Sequence, residues 1–198
     1  MRMKTVFGAG CAFAMMGSTA FAAEDLGDAE GFQARSVTYV EGEEPQNTIR
    51  VYMGPGGRRM EGVPPQGVTL VAPAEEDKRW FVDEESQRYA VDNSVSKGGT
   101  LGGVLSHKPC KGFNHSEKVG DADLNGRDVV KWKCRHPDYG EVTQWFDPEI
   151  NTVIRDRTDQ GKIQELREIQ VGPQNPEQFS FEPSEEFEKV PVMELFQG

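Results

Sequence analysis

The chain has 198 residues, enough for one domain of ordinary size or two very small ones. It carries 22 Lys and Arg against 33 Asp and Glu, a formal charge of −11, so it has no general attraction for the phosphates of nucleic acid or of an anionic membrane. Past the N-terminus no stretch approaches the roughly 18 consecutive apolar residues that a spanning helix needs, and no membrane span is expected.

Met1-Arg2-Met3-Lys4 and the apolar, small-residue run from Thr5 to Ala22 have the three parts of a secretory signal peptide, ending in the small-x-small exit Ala20-Phe21-Ala22. Residues 1–22 are read as that signal and the destination as the periplasm. Cys11 is not read as a lipidation site, because Ala12-Phe13-Ala14-Met15-Met16 follows it, whereas a lipoprotein signal places its apolar stretch before the cysteine. Residues 23–31 are small and acidic and form a flexible lead-in. Residues 32–198 are expected to form a single β domain.

From Phe32 the chain reads as short strands separated by turn clusters. Ser36 to Val40 alternates, and Thr48 to Met53 puts Ile49, Val51 and Met53 on one face before Gly54-Pro55-Gly56-Gly57 turns the chain. Arg58 to Gly62 returns, Val68 to Val71 follows, and Glu75-Glu76-Asp77-Lys78 makes a charged turn. Trp80-Phe81-Val82 and Trp145-Phe146-Asp147 each open a hairpin, since bulky aromatics suit a half-buried pleated surface. Residues 93–105, with Gly98-Gly99 and Gly102-Gly103, predict a flexible loop or a broken helix over one sheet face. Asn125-Gly126 favours a tight hairpin turn into Val129 to Cys134, whose Val130, Trp132 and Cys134 share a face opposite Lys131 and Lys133. Ile163, Leu166 and Ile169 fall three apart, a spacing that a helix or a strand could use, and Gly172-Pro173 stops either. Phe179, Phe181 and Phe187 suggest a tail that docks.

After the signal, two cysteines remain, Cys110 and Cys134, and an oxidising compartment favours a disulfide between them. The alternative is a metal site of His107, Cys110, Cys134 and His136, since all three histidines cluster near the cysteines. No Gly-x-Ser-x-Gly, His-Glu-x-x-His or Walker-type loop is present, and carboxylate pairs in so acidic a chain are ordinary solvated surface. The chain is read as noncatalytic and without a cofactor.

Five short stretches, Arg79-Trp80-Phe81-Val82-Asp83 with Tyr89, Gly120 with Leu124-Asn125-Gly126-Arg127, Trp145-Phe146-Asp147, Gly161-Lys162-Ile163, and Phe179-Ser180-Phe181-Glu182-Pro183, occur in an order that resembles the LolA/LolB superfamily of periplasmic lipoprotein carriers, and within it an exported branch. The resemblance implies a mainly β, α+β fold: a curved antiparallel sheet, an open half-barrel, with a few covering helices or loops. It implies a lipid or other apolar ligand in the concave face, with Trp80, Val82, Tyr89, Trp132, Trp145 and Phe146 as candidate wall residues. The other reading is a structural or sensor module of the cell envelope with a protein partner and no small ligand.

Overall fold

Period-two alternation builds a sheet along most of the chain. The computed structural model describes residues 31–64, 67–93, 103–137 and 140–197. The signal peptide and nearly all of the lead-in lie outside the described residues, as do residues 94–102 of the glycine-rich segment. The first half forms β1 (Phe32–Val40), β2 (Asn47–Gly54), β3 (Gly57–Val63), β4 (Val68–Pro73), β5 (Arg79–Asp83) and β6 (Arg88–Asp92). The second half forms β7 (His115–Leu124), β8 (Arg127–His136), β9 (Gly140–Asp147), β10 (Thr152–Thr158) and β11 (Lys162–Val171). A short β12 (Glu188–Lys189) and a single helical turn, α1 (Val192–Leu195), lie near the C-terminus.

Each half is an antiparallel meander, and β1 zips the two together by pairing with β11 as well as with β2. The result is one sheet ordered β12-β6-β5-β4-β3-β2-β1-β11-β10-β9-β8-β7. Its ends do not meet, so this is the open, curved sheet expected from the sequence. β12 adds to the β6 edge in parallel. Among the described residues no helix is long and apolar enough to cross a membrane.

Two turns show why the chain reverses where it does. Asn125 and Gly126 both take positive φ, 56° and 80°, the primed geometry that matches the twist of a two-residue hairpin. Gly57 has φ +136°, and a Cβ there would meet the Ala72 carbonyl oxygen at 2.3 Å, so the β2–β3 turn needs glycine for both conformation and space. The three-residue spacing of Ile163, Leu166 and Ile169 is that of a strand with a bulge. β1–β11 pairing steps from Arg35–Arg167 to Gln33–Gln170, and Glu168 has φ 54°. The extra residue brings Leu166 and Ile169 into the same apolar cluster, a spacing that mimics a helical face.

The apolar core forms two separate clusters, centred on one face of the sheet. The larger gathers Phe32, Ala34, Val51, Met53, Leu124, Val129, Ile150, Ile154 and Leu166 around Leu105, which comes from the segment following residue 102. The smaller joins Val68 and Ala90 to Val190 and Leu195, with Phe81, Val192 and Phe196 packed against it. The C-terminal tail reaches this second cluster by passing round the β6 edge. Phe181 first packs on Trp80 and Tyr89, at ring separations of 5.6 and 5.8 Å. β12 then follows β6, and α1 comes to rest under Phe81, whose ring stands 5.3 Å from that of Phe196. Trp80 and Phe81 alternate along β5, so the tail covers both faces of the sheet there.

Candidate functional site

Three features meet or flank the covered face: a disulfide-bound cover, a strip between the two clusters, and a polar groove on the reverse.

The cover is the segment from Gly103 to Asn114. β10 pairs with β11 over Arg155–Arg157, leaving the backbone groups of Val153 on that side to find other partners. The cover supplies them: Leu105 N–H donates to the Val153 carbonyl at 2.9 Å, and Val153 N–H to the Ser106 carbonyl at 2.8 Å. His107 Nδ1 lies 3.0 Å from the Asn151 carbonyl oxygen. Cys110 N–H donates at 2.8 Å to Oε1 of Gln144, a side chain with no exposed surface. Cys110 is bonded to Cys134 of β8 across a Cα separation of 5.2 Å. Leu105 and Cys110 both take positive φ, 73° and 54°, a conformation costly for residues with a Cβ and held here by these bonds.

Val104 N–H donates to the Asp156 carboxylate at 3.3 Å. Burial raises the Asp156 carboxyl above its ordinary value, more than the hydrogen bonds from Val104 and Gln164 and the charge of Lys162 lower it. A carboxyl whose folded value is raised binds its proton more tightly in the folded state. Its charge therefore weakens the fold progressively as pH rises from the unfolded value through the folded one. Asp156→Asn keeps an acceptor and removes the charge. At pH 7 it is expected to melt at or up to about 4 °C above the parent. Melting curves between pH 3 and 7 check this; the advantage should vanish at the acid end.

The strip is read from the register. Met60, Leu70 and Phe81 stand opposite one another across β3, β4 and β5, Met60 packed against the larger cluster and Phe81 against the smaller. The next row on the same face begins in the core, at Phe32 and Met53, and continues through Arg58 and Ala72. Arg79, two residues from Phe81, extends it, and Asp92 faces Arg79 from β6. Alternation thus places two guanidinium groups on an apolar face, with only the small Ala72 between their strands. Arg79 pairs with Asp92 at 3.0 Å. Arg58 forms no ion pair among the described residues, and the Nε atoms of both arginines are buried without a hydrogen-bond partner. Burial first, and the charge of Arg79 second, depress the Arg58 guanidinium below its ordinary value.

On the opposite face lies a groove of about 730 Å³ that includes Gln33, Arg35, Arg50, Tyr52, Glu61 and Gln170. Gln33 and Arg35 alternate with core residues Phe32 and Ala34, so the groove is backed by the larger cluster. Arg50, Arg35 and Arg167 stand directly opposite one another on β2, β1 and β11. Glu168 answers Arg35 at 3.0 Å and Glu165 answers Arg167 at 2.6 Å. Arg50 has no such acid among the described residues.

The six candidate wall residues fall in three places. Trp80, Val82 and Tyr89 share one face, where Phe181 caps the two rings and Val82 is buried. Trp145 lies between two cations, Lys131 Nζ at 5.3 Å and the Arg155 guanidinium at 4.8 Å. Trp132 stands opposite Gln144, next in β9 to Trp145, and so projects from the other face, beside Cys134, with its indole N–H buried and unpaired. Phe146 pairs with Val130 and Val153. The structure therefore does not gather the six around one space. Of the alternative metal set, both sulfurs are in the disulfide, and among the described residues no group of three His, Cys, Asp or Glu has ligand geometry. Sequence reasoning missed Gln144, Arg58 and Arg79. For Arg58 a signal existed: it lies two residues from Met60, and so on the apolar side of an alternating strand.

No protein-family model matches the chain, and no curated protein does. Solved structures do. An uncharacterized conserved protein from Thermus thermophilus is 14% identical with a TM-score of 0.56, over 82% of this chain and 91% of that one. PNGF-II is 8% identical with a TM-score of 0.51, over 84% of this chain, which spans 32% of PNGF-II. A LolA superfamily protein from Nitrosomonas europaea matches over 81% of this chain and 94% of its own length, at 10% identity and a TM-score of 0.32. What is shared with the first two at these identities is the fold.

Proposed function

We propose that the chain is an exported, noncatalytic protein of the bacterial periplasm that binds a lipid or similar apolar ligand on the covered face of its open sheet. The observation that carries this reading is the division of that face into two apolar clusters under two separate covers. A domain with nothing to bind gains most by burying one continuous core, since apolar burial stabilises in proportion to area. Here the row Met60–Leu70–Phe81 lies between the cover at Gly103–Asn114 and the helical turn α1, and a slender apolar chain laid along it would join the two clusters. The signal-like N-terminus and the disulfide agree with export.

Of the six residues singled out in the sequence, Trp132 and Phe146 remain on this reading as wall residues on the cover side, Trp80, Val82 and Tyr89 belong to the reverse face, and Trp145 packs against the larger cluster. Native mass spectrometry of protein purified from a periplasmic extract, followed by solvent extraction, tests the proposal. The expected result is a bound species released by organic solvent. A single apo mass, together with failure to bind dodecanol, would refute it.

A second reading, a module that recognises an envelope protein, rests on the polar groove. Its exposed Arg50 lacks a carboxylate partner among the described residues and suits an acidic segment of a partner. Arg50→Glu separates the readings: it should abolish partner binding and leave dodecanol binding untouched.

A further inference from the structure

Among the described residues, the apolar face holds two cations, Arg58 and Arg79, and one carboxylate paired with them, that of Asp92. Across the row Phe32–Met53–Arg58–Ala72, with Arg79 and Asp92 beyond, two guanidinium groups meet one carboxylate. Each guanidinium has an Nε–H that is buried and unpaired. Such groups are seldom left without partners, because a buried unsatisfied donor costs the full loss of its hydration. Arg58 could not shed the cost by losing its proton, since a guanidinium stays charged in proteins. Ala72, the residue between the two, contributes a single methyl group, so nothing on β4 stands between the guanidinium groups above the sheet. The arrangement leaves one excess positive charge and two unpaired Nε–H donors alongside the apolar row Met60–Leu70–Phe81.

We infer that the bound molecule is an anionic amphiphile, its carboxylate or phosphate held between Arg58 and Arg79 while its hydrocarbon chain lies along Met60, Leu70 and Phe81. This rests on the apolar-ligand reading above and adds the chemistry of the head group. Guanidinium forks match either anion with paired N–H donors, and the interaction is strengthened by the low-dielectric surroundings.

The test is calorimetric titration of the full chain, after ligand removal, with dodecanoate and dodecyl phosphate below their micelle concentrations and with dodecanol below its solubility limit. The parent protein should bind at least one of the two anions about tenfold or more tighter than dodecanol, the size of effect expected of charge-assisted hydrogen bonds. The stronger anion identifies the head group. Arg58→Met should erase most of that advantage and leave dodecanol binding unchanged, while Arg58→Lys, which keeps the charge, should retain part of it. Melting of Arg58→Met at or above the parent temperature would establish that the variant is folded.

Equal binding of all three probes by the parent overturns the inference while the apolar-ligand reading stands. So does a preference for anions that survives in both Arg58→Met and Arg79→Met. Failure of every probe to bind defeats that reading, and the inference falls with it.

Discussion

Replacing Cys110 and Cys134 together by alanine should lower stability by about 3.5 kcal/mol, the chain-entropy value for a loop of about 25 residues. For a domain of this size that corresponds to a fall in melting temperature of roughly 10 °C. The bond does more than shorten the unfolded chain. It fixes the far end of the Gly103–Asn114 cover to β8, beside the hydrogen bond from Cys110 N–H to Gln144. At the near end the cover hangs on Val153 and Asp156. With the cysteines gone, the positive φ of Cys110 has one restraint fewer, and the cover should open locally before the sheet unfolds. Hydrogen exchange of the amides at positions 105 and 110 would report this; protection equal to that of the parent protein would show that the disulfide does not hold the cover down.

Deleting residues 190–198 should cost about 4 kcal/mol, from the loss of two buried side chains, Val190 and Leu195, at roughly 1.5–3 kcal/mol each. Val190 and Leu195 are 7% and 0% exposed, and their removal uncovers Val68, Ala90 and Phe81 near the β6 end of the sheet. The truncated chain should unfold at lower denaturant concentration and bind a hydrophobic dye. Unfolding at an unchanged midpoint would mean that α1 is an ornament and that the second cluster stands without it. Leu195→Ala, a milder change at the same site, should lose about 2–4 kcal/mol.

Much of the fold was legible because alternation is a local signal. Ile49, Val51 and Met53 declared one face of β2, Asn125-Gly126 declared its turn, and the two Trp-Phe openings each began a hairpin where expected. The open curved sheet was what the resemblance of five short stretches to the LolA/LolB superfamily implied. What was not legible depends on partners far away in sequence. The bulge at Glu168 made a strand look helical, since one extra residue moves every later side chain to the other face. The candidate wall failed to gather for the same reason. Trp132 and Trp145 are both aromatic residues at strand positions, but the β8–β9 register sets Trp132 against Gln144, and so puts the two rings on opposite faces. Gln144 itself has no sequence mark. Its part as acceptor for the Cys110 N–H exists only once the cover has folded over β9. Arg58 and Arg79 are similar: each looks like an ordinary surface cation until the β3–β4–β5 register sets them on one face with Ala72 between.

The polar groove and the apolar strip lie on opposite faces, so the position of a bound hydrocarbon chain tests the apolar-ligand reading directly. Spectra of protein with labelled Met, Leu, Ala and Thr methyl groups, recorded with dodecanol bound, measure that position through nuclear Overhauser contacts. Contacts from the alkyl chain to Met60, Leu70 and Ala72 are the predicted result. Contacts confined to Thr48, on the groove side, would contradict the account.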